Sequence, residues 1–132
     1  MSKFVIKDET TRESFEWGSL GWLSHPPATG NENLTVIDAV LNPGRGHNFH
    51  RHPDQEEMIY CISGRIEQWA EEEKRIPGPG DSVFIDADVV HASFNIGSEP
   101  AHFIAIPGPC VGEMGYEVVE MADEAPWNSL RG

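Results

Sequence analysis

Short apolar runs, each closed by a turn signal, constrain the fold of this chain more than any other feature. The clearest is Leu34-Thr35-Val36-Ile37-Asp38-Ala39-Val40-Leu41, which Asn42-Pro43-Gly44 terminates. Its β-branched residues suit a pleated, half-buried strand. Further strands are expected at Glu57–Ile62, Arg65–Ala70, Lys74–Ile76, Ser82–Asp86, Val90–Phe94, His102–Ile106 and Tyr116–Met121. Turns at Ser63-Gly64 and Pro77-Gly78-Pro79-Gly80 separate some of them, and 13 Gly and 10 Pro in all disfavour long helices. Strands this short and this regularly punctuated predict an all-β sandwich or closed barrel, not a parallel α/β sheet.

The first thirty residues are less regular. Phe4-Val5-Ile6 suits a short strand, and Thr11 to Ser14 is polar. Trp17, Leu20, Trp22 and Leu23 surround two glycines, and core packing is the default for such aromatics. His25-Pro26-Pro27 through Asn33 reads as loop, with His25 exposed. No structure is assigned beyond the breaker Pro126.

A chain of 132 residues can bury a core as one domain, spanning 1–132 with a core barrel at about 34–120. Its formal net charge of -13 excludes a phosphate-backbone binder, which needs a positive patch. Glu71-Glu72-Glu73 is read as a solvated hairpin tip. No apolar run approaches the ~20 residues that span a bilayer, and MSKFVIKDET lacks the apolar stretch of a signal peptide. The two cysteines make no disulfide framework; Cys61 is expected buried and Cys110 in a Pro/Gly loop. The expected location is cytoplasmic.

Chemistry concentrates between Gly44 and Gly64, GRGHNFHRHPDQEEMIYCISG. In an extended strand, residues two apart share a face, so His50 and His52 project together and Arg51 points away. With Glu57 arriving from the next strand, the two imidazoles form half of a coordination sphere for a divalent transition metal. A second stretch, GDSVFIDADVVHASFN from Gly80 to Asn95, contributes His91. His47 falls on the face opposite His50 if the strand already runs there, and His102 is placed in the core or at the rim. Tyr60, Gln68 and Asn95 are candidate pocket polar groups, none with an assigned catalytic role.

These two stretches resemble the two cupin motifs. Gly44, five residues, His50-Arg51-His52, four residues, Glu57, six residues and Gly64 reproduce the first motif in full. Gly80, His91 and Asn95 keep the spacing of the second, but Asp86 and Asp88 stand where the motif has Pro and Gly. The turn before His91 is therefore expected to differ. The resemblance implies a double-stranded β-helix, the jelly-roll cupin barrel, with one divalent transition metal held by His50, His52, Glu57 and His91. The motif spacing to Gly64 selects Glu57 over Glu56. Iron(II) is favoured, with manganese, nickel or zinc as alternatives. The function implied is that of a metal-dependent small-molecule cupin, read first as an oxidoreductase of the dioxygenase type. A metal-assisted isomerase, epimerase or lyase on a sugar or small acid is the alternative, as is a ligand-binding module without catalysis. The resemblance also implies a homodimer, for which Phe4, Val5 and Ile6 would supply an exchanged strand.

Overall fold

A computed structural model describes residues 2–132. Eleven strands run in the order β1 (Arg12–Phe15), β2 (Gly18–Ser24), β3 (Val36–Leu41), β4 (Gly46–Arg51), β5 (Glu56–Ser63), β6 (Ile66–Ala70), β7 (Glu73–Arg75), β8 (Ser82–Ile85), β9 (His91–Asn95), β10 (Ala101–Gly108) and β11 (Val119–Glu120). They form two antiparallel sheets, ordered β1-β2-β3-β10-β5-β8 and β11-β4-β9-β6-β7. The alternation expected of strands is explicit in β3 and β5. Ile37, Ala39 and Leu41 are buried, as are Glu57, Ile59 and Cys61, while Met58, Tyr60 and Ile62 face outward.

Two apolar clusters hold the sheets. One lies between them, built mainly from β2, β3, β5 and β10 and including Leu20, Trp22, Ile37, Leu41, Ile59 and Phe103. The other, Phe49, Trp69, Val90, Ala92 and Phe94, covers the outer face of the five-stranded sheet, where Met121, Trp127 and Leu130 pack against it. This explains why every residue of β9 is buried: its inward face carries His91, Ser93 and Asn95, and the C-terminal tail covers the other. Phe49 meets Trp69 and Phe94 edge-on at centroid distances of 5.6 and 5.9 Å. Each such pair adds ~0.5–1.5 kcal/mol beyond burial.

Several expectations change. Phe4-Val5-Ile6 forms no strand and lies exposed, because no sheet edge among the described residues pairs with it. The first strand is instead polar Arg12–Phe15, paired with the aromatic segment Gly18–Ser24 as a hairpin, so the sheets begin well before residue 34. His25 precedes a single helical turn, α1 (Pro26–Thr29), and is buried against Trp22, not exposed. The tail beyond Pro126 is packed, as Trp127 and Leu130 show. His102 lies on the outer side of the six-stranded sheet beside Asp38, which also pairs with Arg12. Asp38 is held below the usual carboxylate range: burial opposes this, but His102 and Arg12 outweigh it.

Asn95 locks the turn after β9. Its amide donates to the carbonyls of Leu41 and Glu99 at 3.0 and 2.7 Å, and its oxygen accepts the Gly97 N–H at 2.9 Å. Removing one partner from buried polar groups costs ~1–3 kcal/mol for each group left unsatisfied. Asn95→Ala should therefore lower unfolding stability by about 3 kcal/mol in urea denaturation. A loss below about 0.5 kcal/mol, the usual range for a surface change, would contradict that role.

Candidate metal centre

The site lies where the two sheets face each other. His50 (β4) and His91 (β9) are direct cross-strand partners in the five-stranded sheet, with ring centroids 4.2 Å apart. His52 follows β4 by one residue, and Glu57 reaches the cluster from β5 in the opposite sheet. The nearest ring nitrogens of His50, His52 and His91 all lie within 4.8 Å of one another. Glu57 Oε1 is 2.8 Å from His91 Nε2 and 3.6 Å from His52 Nε2. All four side chains are buried, whereas Glu56 is exposed. The structure thus brings His50, His52, Glu57 and His91 to one point between the sheets.

Each imidazole is held from behind by a backbone carbonyl. His50 Nδ1 lies 2.6 Å from the Asn48 oxygen, His52 Nδ1 2.8 Å from that of Glu117, and His91 Nδ1 2.9 Å from that of Val89. A carbonyl only accepts, so these contacts fix the Nδ1–H tautomer and leave each Nε2 with a free lone pair. This is the outer support that metal-ligating histidines use.

The inward atoms do not satisfy one another. His52 Nε2, His91 Nε2 and Glu57 Oε1 are fully buried and none has a hydrogen-bond partner, since the 2.8 Å approach of His91 is not aligned for one. Burial alone would raise the Glu57 carboxyl, but the imidazoles of His52 and His91 hold it well below its ordinary value. His52 is also pushed down by burial, yet Glu57 and the Glu117 carbonyl leave it raised. His50 is driven far down by burial and by its neighbouring histidines. A carboxylate oxygen and two inward ring nitrogens, all buried without hydrogen-bond partners, fit a cation. The donor set, three imidazoles and one carboxylate, suits a first-row divalent metal.

The second motif's altered turn is resolved by Asp88. It adopts φ 68, the left-handed conformation that the motif's glycine would supply, and Asp is among the few residues that tolerate it. Its N–H donates to the His52 carbonyl at 2.9 Å and its carboxylate accepts from Arg51. The turn is thereby fastened to the strand end that carries the histidine pair.

His47 shares the site despite its odd spacing. The β4–β9 register slips between His47 and His50, and this bulge turns the His47 ring onto His50 at a centroid distance of 3.8 Å. Sequence periodicity assumed a regular strand and so placed it on the wrong face. Gln55 and Tyr116 were also missed. Gln55 donates to the carbonyls of Pro109 and Gly115 at 2.8 and 2.9 Å and accepts the Glu117 N–H at 3.2 Å, positioning the carbonyl that holds His52. Tyr116 rests against His52 with ring centroids 4.9 Å apart. No local pattern marks either residue, because both act across long separations. Of the earlier candidates, Tyr60 faces solvent, Gln68 is engaged with Ser93 and the Trp69 carbonyl, and Asn95 serves the turn.

A cavity of about 750 Å³ opens beside the cluster, with walls that include Phe15, Trp17, Trp22, His47, Phe94 and Tyr116. Its size is that of a small-molecule site. Both arginines on its lining are paired, Arg45 with Glu16 at 2.9 Å and Arg131 with Glu67 at 2.7 Å.

Fold and site together define a double-stranded β-helix barrel with an internal histidine cluster able to hold a metal. The family model for the cupin domain matches residues 37–107, and the chain belongs to that family. It is 27% identical over 112 residues to polyketide synthase CurC of Streptomyces cyaneus, covering 81% of this chain and 73% of that protein. It is 34% identical over 88 residues to glucose-6-phosphate isomerase of Thermococcus kodakarensis, covering 56% of this chain and 46% of the isomerase. Among solved structures, a conserved Klebsiella pneumoniae protein with a double-stranded β-helix domain superposes with a TM-score of 0.70 at 23% identity, covering 91% of this chain and 99% of that one. No helix among the described residues is long and apolar enough to cross a membrane.

The titration of this cluster has a sign that can be checked without metal. His50 and His47 are both depressed, chiefly by burial, so they stay neutral in the fold but take protons in the unfolded chain below about pH 6.5. Their contribution is lost as pH falls; the raised His52 acts oppositely and offsets part of it. The metal-free chain should therefore lose about 1–2 kcal/mol between pH 7.5 and 5.5 in denaturant titrations. Constant or rising stability over that interval would contradict the neutral state of His50 and His47 in the fold.

Proposed function

We propose that this chain is a metal-dependent oxidoreductase of the dioxygenase type, acting on a neutral aromatic or enolic small molecule at a centre formed by His50, His52, Glu57 and His91. The observation that carries this reading is the pairing of an aromatic cavity with a small inner pocket beside the cluster. The inner pocket is about 20 Å³, roughly room for one water, and Ile37, Ala39, Ile59, Phe103 and Ala105 make much of its wall. His50, Glu57, His91 and Ser93 also line it, so the recess sets an apolar wall opposite the cluster and has room for one small molecule such as dioxygen.

A first-row metal, iron(II) foremost, would supply open coordination positions and activation of dioxygen. Both oxygen atoms would enter the product, so no external reductant is required. The chain's own residues do the rest. The backbone carbonyls behind the imidazoles hold each Nε2 inward, Glu57 supplies negative charge, and the aromatic side chains of the cavity wall receive a planar substrate. The polyketide synthase relative supports this class of substrate, because polyketide chains are rich in enolisable carbonyls. The sugar-phosphate alternative suggested by the isomerase relative is less well supported: Arg45 and Arg131 are already neutralised, and Glu13, Glu16 and Glu120 also line the cavity.

Oxygen-electrode assays of iron-, manganese- and nickel-loaded protein with aromatic, enolic and thiol substrates test this. Once a substrate is found, Glu57→Gln should cut turnover by on the order of tenfold or more while retaining most of the metal. His91→Ala should lose both. Failure of all three metals to support oxygen consumption would transfer the reading to the isomerase or binding-module alternatives.

We also propose a homodimer. In the isolated chain Phe4 is 96% exposed and Val5 and Ile6 are about half so, which leaves an apolar run for a second copy to cover. Light scattering should give two chains per particle at micromolar concentration, and a monomer would remove this proposal.

A further inference from the structure

The aromatic cavity and the inner pocket are separate spaces. His50, Glu57 and His91 line only the inner one, whereas Phe15 and Trp22 line only the outer one. Trp17, Leu20, His47 and Tyr116 line both and so form the wall where the two meet.

We propose that these four residues are a selectivity collar: the ring of a bound substrate stays in the outer cavity, and only a slender group passes to the histidine cluster. Trp17 is the specificity-determining member. This rests on the metal-centre reading above and deepens it.

Two observations show that the collar is held in place by packing. Trp17 is the middle of a nearly parallel stack, 4.9 Å from Phe15 and 4.7 Å from His47, with interplanar angles of 4° and 5°. His47 then continues the stack onto His50. On the other side Tyr116 is wedged between His52, at 4.9 Å, and the edge of Trp22, at 5.6 Å. Offset aromatic contacts of this kind stabilise their arrangement beyond what burial alone supplies. Swinging Trp17 aside would forfeit two of them, so a bulky ligand does not open the collar without cost.

The volumes decide what can pass. The outer cavity, about 750 Å³, accommodates a ring system, whereas about 20 Å³ inside admits little more than a diatomic molecule or one substituent. Substrates are therefore sorted by the width of the group they present and not by their overall size. A ring bearing its reactive group on a narrow arm would be accepted; one that must place the ring itself against the histidines would be refused.

Cobalt(II)-loaded full-length protein tests this without turnover, through the visible absorption of the metal. Azide serves as the slender probe and benzohydroxamate as one whose ring sits directly on the coordinating group. In the wild type azide should perturb the spectrum and benzohydroxamate should bind weakly. Trp17→Ala should tighten benzohydroxamate at least tenfold while changing azide affinity less than twofold. Leu20→Ala, which widens the collar without touching the stack, should act in the same direction and covers the case in which Trp17→Ala does not fold. Equal benzohydroxamate affinity in the wild type and in whichever variants fold would overturn the collar and leave the metal centre standing. A wild type that takes up no cobalt would remove the metal-centre reading, and this inference with it.

Discussion

A carboxylate buried between two sheets beside three imidazoles is the constraint on which the rest of this structure depends. Among the described residues, only the imidazoles of His52 and His91 come within ion-pairing distance of Glu57, and neither brings a permanent positive charge. Burying an ionised group costs several kcal/mol after relaxation unless a counter-charge meets it. The architecture around the cluster concentrates that cost at one point. Three backbone carbonyls orient the rings, Gln55 fixes the carbonyl behind His52, and Asp88 fastens the turn that leads to His91. Such support has little purpose for histidines that only fill a core, and it is what preorganised ligands need.

The two-sheet arrangement explains why the ligands are so far apart in sequence. One strand cannot surround an ion. His50 and His91 meet as cross-strand partners in one sheet, and Glu57 faces them from the other. Loss of packing on either side would therefore displace part of the set. The outer cluster of Phe49, Trp69 and Phe94 matters to the site for this reason, since it backs the sheet that carries His50 and His91.

Much of the barrel was legible because strands with one buried face write their geometry into a period of two. The runs at Val36–Leu41 and Glu56–Ser63 are the plainest cases; in the latter, alternation puts Glu56 and Glu57 on opposite faces, and the motif spacing to Gly64 selects Glu57. The histidine pair and His91 were legible from their spacing. What escaped notice departs from regular geometry or acts over long separations. His47 reached the site through a bulge that no sequence period encodes. Tyr116 and Gln55 join it through the segment after β10, which crosses back under His52. Polar Arg12–Phe15 became a strand because it pairs with Gly18–Ser24, a case of tertiary context overriding local propensity. The exposed Phe4-Val5-Ile6 shows the converse, since β-propensity without a partner edge makes no strand.

The central claim is that these four side chains form one metal centre. X-ray absorption at the metal edge, on protein purified with its native metal, examines that most directly. Such protein should carry about one metal per chain, with imidazole nitrogens at ~2.0–2.2 Å, the multiple-scattering pattern of three histidine rings and one further light-atom ligand from Glu57. Protein that retains no metal after supplementation, or a first shell without imidazole scattering, would contradict it.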